Sequence, residues 1–343
     1  MVKKKLLFGV IALTLVALLV PLCAACPAAP TTPTSTTPPT APTRAIDPIV
    51  TTGWLASNID TPGLVLLDVR DPDSYAAGHI PGSVNFFALG NFYLCLFEFD
   101  CGLWMEVPAD EDLFATMGNA GISADSTVVI IARTVDSPVL GPAPYGVANA
   151  TRVADTLIYA GLEKVTLLDG GYAKWAAEGR ATTTEATTPT PVTYTGTTDP
   201  SMFVSMDYVA NRVGDEDTTI VEGREADIYF GIIQEPWTER AGHIPSALDL
   251  PAPWFWQATV DEAGVTTYTS WKDTSAITEI ATTVLGDDGD QEIIVYCGVG
   301  GYASTLWYVT TQIVGYRDVK FYDGSLQEWS ADPTKDVIKY KYE

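Results

Sequence analysis

Histidine is nearly missing from this chain: it occurs at His79 and His243 and nowhere else in 343 residues. Two imidazoles so far apart do not supply a His-built metal centre, and neither a metal nor a cofactor is expected. Basic residues are scarce as well, 19 Lys and Arg against 43 Asp and Glu, for a net charge of −24. Setting aside residues 1–26, which carry three lysines and no acid, makes the balance −27. So acidic a surface excludes nucleic acid as a partner. A small anion can bind only where local dipoles oppose the global field. Cysteine is rare too, five in all, too few for a disulfide scaffold. What is present is a 47% hydrophobic fraction, that of a globular protein. The length allows two domains with ordinary cores.

Lys3-Lys4-Lys5 followed by apolar residues 6–20 has the basic and hydrophobic regions of an export signal. The continuation Val20-Pro21-Leu22-Cys23-Ala24-Ala25-Cys26 resembles a bacterial lipoprotein cleavage site, in which Cys26 becomes the lipidated N-terminus. Cys23 stands where that pattern usually has leucine, so an uncleaved membrane anchor is the other reading. Both place the remainder on the outer face of the cytoplasmic membrane or in the periplasm. Residues 27–46, rich in Pro, Thr and Ala, read as an extended tether that lifts the folded part off the bilayer.

The rest of the chain is a repeat. Leu66-Leu67-Asp68-Val69-Arg70 corresponds to Ile220-Val221-Glu222-Gly223-Arg224, and Gly78-His79-Ile80-Pro81 to Gly242-His243-Ile244-Pro245. Asp169-Gly170-Gly171 with Trp175 corresponds to Asp323-Gly324-Ser325 with Trp329. The two arginines, the glycines and the tryptophans share one offset, 154 positions. Copy one is expected over residues 47–180 and copy two over 201–343, joined by a Thr/Pro-rich linker at 181–200. Short apolar runs (64–67, 128–131 and 165–168, then 219–221, 293–296 and 319–322) alternate with helical stretches such as 152–159 and 304–313. That alternation predicts an α/β fold with a parallel sheet and helices on both faces in each copy.

The chemistry points to Cys297. An apolar β-branched run, Ile293-Ile294-Val295-Tyr296, ends at this cysteine, and Gly298, Gly300 and Gly301 follow around Val299 before a helical pattern begins with Ala303-Ser304-Thr305-Leu306-Trp307. Glycines permit a tight turn whose N–H groups point inward, and the helix start adds unpaired donors. Such a concavity holds an anion and favours thiolate over thiol. The competing reading is a buried structural cysteine at a strand end.

These motifs resemble the tandem-domain rhodanese family of sulfurtransferases, over nearly everything after the tether. The resemblance implies sulfane-sulfur transfer from a small anionic donor, thiosulfate or 3-mercaptopyruvate, to a thiol or cyanide-like acceptor. Cys297 then matches the persulfide-forming nucleophile, and Gly298, Val299, Gly300, Gly301, Tyr302 and Ala303 the substrate-binding loop. Arg224 matches an arginine near the family's substrate, or else forms a structural ion pair, because Asp68-Val69-Arg70 repeats the motif in a copy without cysteine. For the same reason His79 and His243 are expected to make structural hydrogen bonds. Ala132 falls at the nucleophile position of copy one, which is therefore expected to be non-catalytic and to complete an interdomain cleft. The surplus of its loop, Ser137 to Gly146, either covers the pocket of the second copy or is a surface loop, the latter being the expectation.

Tyr302 departs from the arginine or small hydroxyl residue that many active family loops carry, and Ala303 rules out the Cys-x5-Arg of cysteine phosphatases. Trp254 and Trp256 are candidates for the pocket wall or for interdomain core. Cys95 and Cys101 are either a short disulfide or a reduced pair in aromatic surroundings. A non-catalytic binding protein for sulfur species or an envelope partner is the alternative function. A monomer is expected.

Overall fold

The computed structural model describes residues 37–87 and 102–341. Cys26, with its lipidation, and the Cys95–Cys101 pair lie outside the described residues.

The β-branched runs become strands buried on both faces. In copy one β1 (Ile49–Val50), β2 (Leu64–Asp68), β3 (Val84–Asn85), β4 (Thr127–Ile131) and β5 (Val165–Leu168) form a parallel sheet in the order β1-β5-β4-β2-β3. Copy two repeats it with β6 (Phe203–Val204), β7 (Thr218–Glu222), β8 (Leu248–Asp249), β11 (Glu292–Tyr296) and β12 (Asp318–Tyr322), in the order β6-β12-β11-β7-β8. Between β8 and β11 an antiparallel hairpin is inserted, β9 (Trp256–Val260) with β10 (Thr266–Trp271). The predicted α/β fold is therefore present in both copies.

Strand alternation assigns the two faces. Val128 and Ile130 face a large core, whereas Val129 and Ile131 face a small one around Trp175. Ile293 and Val295 face the same large core from copy two, and Ile294 and Tyr296 face a small one around Trp329. The large core thus belongs to both halves at once.

Among the described residues, copy one carries helices α1 (Thr52–Asn58), α2 (Pro72–Ala77), α3 (Asp110–Asn119), α4 (Ala143–Tyr159) and α5 (Gly171–Ala177). Copy two carries α6 (Met206–Ala210), α7 (Ala226–Tyr229), α8 (Thr274–Leu285), α9 (Gly301–Tyr308) and α10 (Ser325–Ala331). Helix α4 starts at Ala143, well before the expected 152, because Pro144 in its first turn needs no N–H partner there. The last part of the surplus in copy one is therefore helix. Helices α4 and α9 pack on each other, and there Thr151 Oγ1 lies 2.8 Å from Ser304 Oγ and 3.0 Å from Thr305 Oγ1.

Each histidine closes a turn of its own copy. His79 stacks on Tyr75 with ring centroids 3.7 Å apart, and its Nδ1 lies 2.9 Å from the Tyr75 carbonyl. His243 does the same with Tyr229, at 3.7 Å and 2.9 Å. Both are fully buried, in the structural role expected of them. Residues 37–46, which composition assigns to the tether, run against the folded part: the Thr37 carbonyl accepts from Gly289 N–H at 2.7 Å, and Arg44 Nη2 donates to the Val165 carbonyl at 2.7 Å.

Candidate active site

Strand β11 ends by handing Cys297 to a loop fixed from below. The Cys297 N–H donates to Ser325 Oγ at 3.3 Å, and the carbonyls of Cys297 and Gly298 accept from Leu326 and Gln327 N–H, both at 2.9 Å. Gly300, at φ +92°, then turns the chain into α9, a left-handed conformation that disfavours any side chain. The outcome is a cradle: Gly300 N–H donates to Cys297 Sγ at 3.2 Å, and the amides of Val299 and Ala303 also stabilise a negative sulfur. Gly298, Val299, Gly301 and Tyr302 line the space in front of it.

Burial and nearby carboxylates work against the amides at this sulfur. Burial pushes the Cys297 thiol above its ordinary value, the Ala303 and Val299 amides pull it back, and Glu222 and Glu235 push it up again. Sequence showed the amides but not the carboxylates.

Those carboxylates belong to Arg224. Its Nε and Nη2 bind Glu222 as a fork, both at 2.8 Å, its Nη1 binds Glu235 at 2.9 Å, and Nη2 also reaches the Gly242 carbonyl at 2.9 Å. Arg70 forks onto Asp68 in the same way, at 2.9 and 2.6 Å, and reaches the Gly78 carbonyl at 2.8 Å. The shared geometry assigns Arg224 its structural reading. It borders the cavity, but every one of its nitrogens already serves a carboxylate. Tyr302 offers no donor either. Its hydroxyl donates to Glu225 at 3.2 Å, and burial, then Glu225, raises its pKa.

The sulfur faces a cavity of about 160 Å3 that both copies line. Copy one brings Trp104, Met105, Leu140, Tyr145, Ala148 and Asn149, so the expected interdomain cleft is present, and of the two readings of the 137–146 segment the structure gives the pocket cover, not the favoured surface loop. Copy two adds Glu235 and Trp237. Trp254 is 48% exposed and Trp256 is buried in core beside Tyr302 and Trp271, so neither candidate lines the cavity. Trp104 and Trp237, whose rings lie 6.1 Å apart, take that place. They escape a reading of the sequence because both sit on aperiodic segments, one of them in the other copy.

Behind the cradle the halves are locked by charge. Arg152 of α4 is fully buried and binds Asp323 Oδ1 and the Met105 carbonyl through Nη2, both at 2.5 Å. Asp323 Oδ2 accepts from Val107 N–H at 2.7 Å, and its counterpart Asp169 accepts from Trp271 N–H at 2.9 Å. Each repeated aspartate thus holds the backbone of the opposite copy.

A sequence profile of the rhodanese-like domain matches residues 51–178 and again 205–332. A provisionally named thiosulfate sulfurtransferase from Mycobacterium leprae is 28% identical over 302 residues, covering 83% of this chain and 95% of that protein. The sulfur carrier protein TtuD of Thermus thermophilus is 30% identical over 299 residues, covering 82% of this chain and 93% of that protein. Among solved structures, the anaerobic ergothioneine biosynthesis enzyme from Chlorobium limicola, in complex with trimethyl histidine, matches with a TM-score of 0.69 at 24% identity, over 85% of this chain and 70% of that one. This last likeness is one of fold.

Proposed function

The chain belongs to the rhodanese-like domain family, and on that premise we propose that it is a sulfurtransferase working through a persulfide on Cys297. Relatives named for sulfur transfer and sulfur carriage support the coarser statement. The observation that carries the finer one is the cradle, with loop amides aimed at a single sulfur on the floor of a two-sided cavity.

The chemistry runs in two steps. The Cys297 thiolate attacks the sulfane sulfur of thiosulfate; the S–S bond of the donor breaks and sulfite leaves with the electron pair. The persulfide anion on Cys297 sits among the same amides. A thiolate or cyanide acceptor then attacks the outer sulfur, and the pair returns to Cys297. 3-Mercaptopyruvate is the other donor of this reading. Copy one lacks the nucleophile, with Ala132 at that place, and supplies the wall. The test is thiocyanate formation from thiosulfate and cyanide, which Cys297→Ser should abolish.

The second reading, sulfur binding without turnover, draws on the raised Cys297 thiol and the fully engaged Arg224. A protein that gains sulfur but releases none to any acceptor would be of that kind. We further propose that Cys26 carries lipid and anchors the protein, as a monomer, outside the cytoplasmic membrane, on the pattern of residues 1–26 and the tether. Labelled palmitate incorporated by the wild type and not by Cys26→Ser is the expected result.

A further inference from the structure

The cradle and the cavity in front of it have opposite preferences. Three amides surround Cys297 Sγ and favour negative charge on sulfur alone. The remaining wall is aromatic and acidic. Trp104 and Trp237 form one ring pair, 6.1 Å between centroids, and Tyr145 and Tyr302 another, 5.7 Å apart and edge to face. Among the described residues the charged side chains on this wall are Arg224 and Glu235. Arg224 is shared between Glu222 and Glu235, so the trio carries one excess negative charge when both are ionised. Glu225 lies on the Tyr302 hydroxyl just beyond. The carboxylate is close to the reacting sulfur: a Cβ built on Gly298, the next residue, would fall 2.5 Å from both Glu235 Oε2 and Trp237 Nε1. Aromatic faces with a carboxylate and no spare cation attract an alkylated ammonium group through the ring quadrupoles and repel an anionic body. The acidic surface of the whole chain, net −24, draws a cation toward the cleft in the same sense.

We propose that the acceptor of the Cys297 sulfur is a small thiol whose body carries an alkylated ammonium group, seated between the two aromatic pairs with Glu235 as its counter-charge. This rests on the persulfide reading above. The acceptor thiolate attacks the outer sulfur of the Cys297 persulfide, its new S–S bond forms as the old one breaks, and Cys297 leaves as thiolate. The ammonium group also opposes the field of Glu222 and Glu235 at that thiolate, so the acceptor stabilises its own leaving group.

The charge preference is testable without turnover. Three methanethiosulfonate reagents of similar size, ending in trimethylammonium, hydroxyl or sulfonate, are reacted with Cys297, and each rate is divided by that of a small free thiol. The trimethylammonium reagent is expected to react at least tenfold faster than the sulfonate after this correction. The preference should persist in 0.5 M salt, where long-range steering is screened. Glu235→Gln should reduce the ratio about fivefold or more, and Trp237→Leu, which leaves the ion pairs intact, should reduce it as well. Equal rates, a faster sulfonate, or no modification by any of the three overturns the proposal. In parallel, the persulfidated protein is offered thiocholine, 2-mercaptoethanol and 2-mercaptoethanesulfonate at matched thiolate concentrations. Thiocholine should remove sulfur fastest. A protein that loads sulfur but shows no order among these thiols contradicts the acceptor class and leaves the sulfurtransferase reading standing; one that loads none overturns the sulfurtransferase reading and the acceptor with it, and a reagent preference kept in that case reports only the charge preference of the cavity.

Discussion

The two strand-end loops of this molecule start from one plan and turn opposite faces of the peptide inward. In copy two the loop after β11 wraps its N–H groups around Cys297. In copy one the loop after β4 wraps its carbonyls around Arg133. Nη1 donates to Val135 and Gly141 at 2.5 and 3.0 Å, and Nη2 to Leu140 and Pro142 at 3.0 and 3.2 Å. One loop is built for an anion at its centre and the other already contains its cation. The absence of a cysteine at position 132 is thus only one part of the difference. Copy one has given its loop to the wall of the neighbour's cavity, through Leu140 and Tyr145.

The strongest way to break this comparison is to move the cysteine. Ala132→Cys in a Cys297→Ser background should restore none of the lost sulfur uptake, because the loop around position 132 presents carbonyls. Uptake by the grafted cysteine, read by mass, would show that the loop backbone does not matter.

Next in size is the lock between halves. Arg152 and Asp323 are both buried, with side chains 0% and 8% exposed, so Arg152→Met should cost about 3–5 kcal/mol in urea unfolding by leaving Asp323 uncompensated. The corresponding pair in copy one, Lys174 with Asp169, is 21% and 15% exposed, and Lys174→Met should cost under about 1 kcal/mol. Similar losses for the two would contradict the assignment of the buried ion-pair lock to Arg152 and Asp323.

The same junction should respond to pH. Burial, and then Asp323, push the Glu106 carboxyl up to about 8. A group raised in the folded state binds its proton more tightly there than in the unfolded chain. Its contribution is therefore full below the ordinary glutamate range and is lost as pH climbs toward 8. Stability should fall across that window by up to about 1.4 kcal/mol per pH unit, and Glu106→Gln should flatten the slope. An unchanged slope in the variant would place the titration elsewhere, with Asp249, pushed up to about 7 by burial and Glu222, as the next group to replace.

Much of this was legible in the chain itself. Asp68-x-Arg70 against Glu222-x-Arg224, the two histidine turns and the two Asp-Gly steps fix the repeat, because each is a local device that works in any copy. The cradle was legible for the same reason, since glycines at 298, 300 and 301 after a buried strand leave few backbone choices. The cavity wall was not. Trp104, Glu235 and Trp237 meet only after the halves dock, and no spacing in the sequence records that docking. The thiol's elevation was missed likewise, because Glu235 reaches Arg224 from eleven residues away through a loop without a period.

A more modest effect than that of Arg152→Met is expected of Gly300→Ala. A Cβ there finds nothing nearer than 3.6 Å, so its cost is the left-handed backbone, about 1–2 kcal/mol, together with slower sulfur uptake as the amide swings off Sγ. Loss of stability with uptake unchanged would mean that the Gly300 amide does not serve the sulfur.

The most direct measurement is the intact mass of the fragment from residue 37 onward after thiosulfate, and separately after 3-mercaptopyruvate, beside Cys297→Ser. The account predicts a gain of one sulfur, about 32 Da, that cyanide removes and that the variant never shows. A folded protein with reduced Cys297 that gains no sulfur from either donor would contradict it.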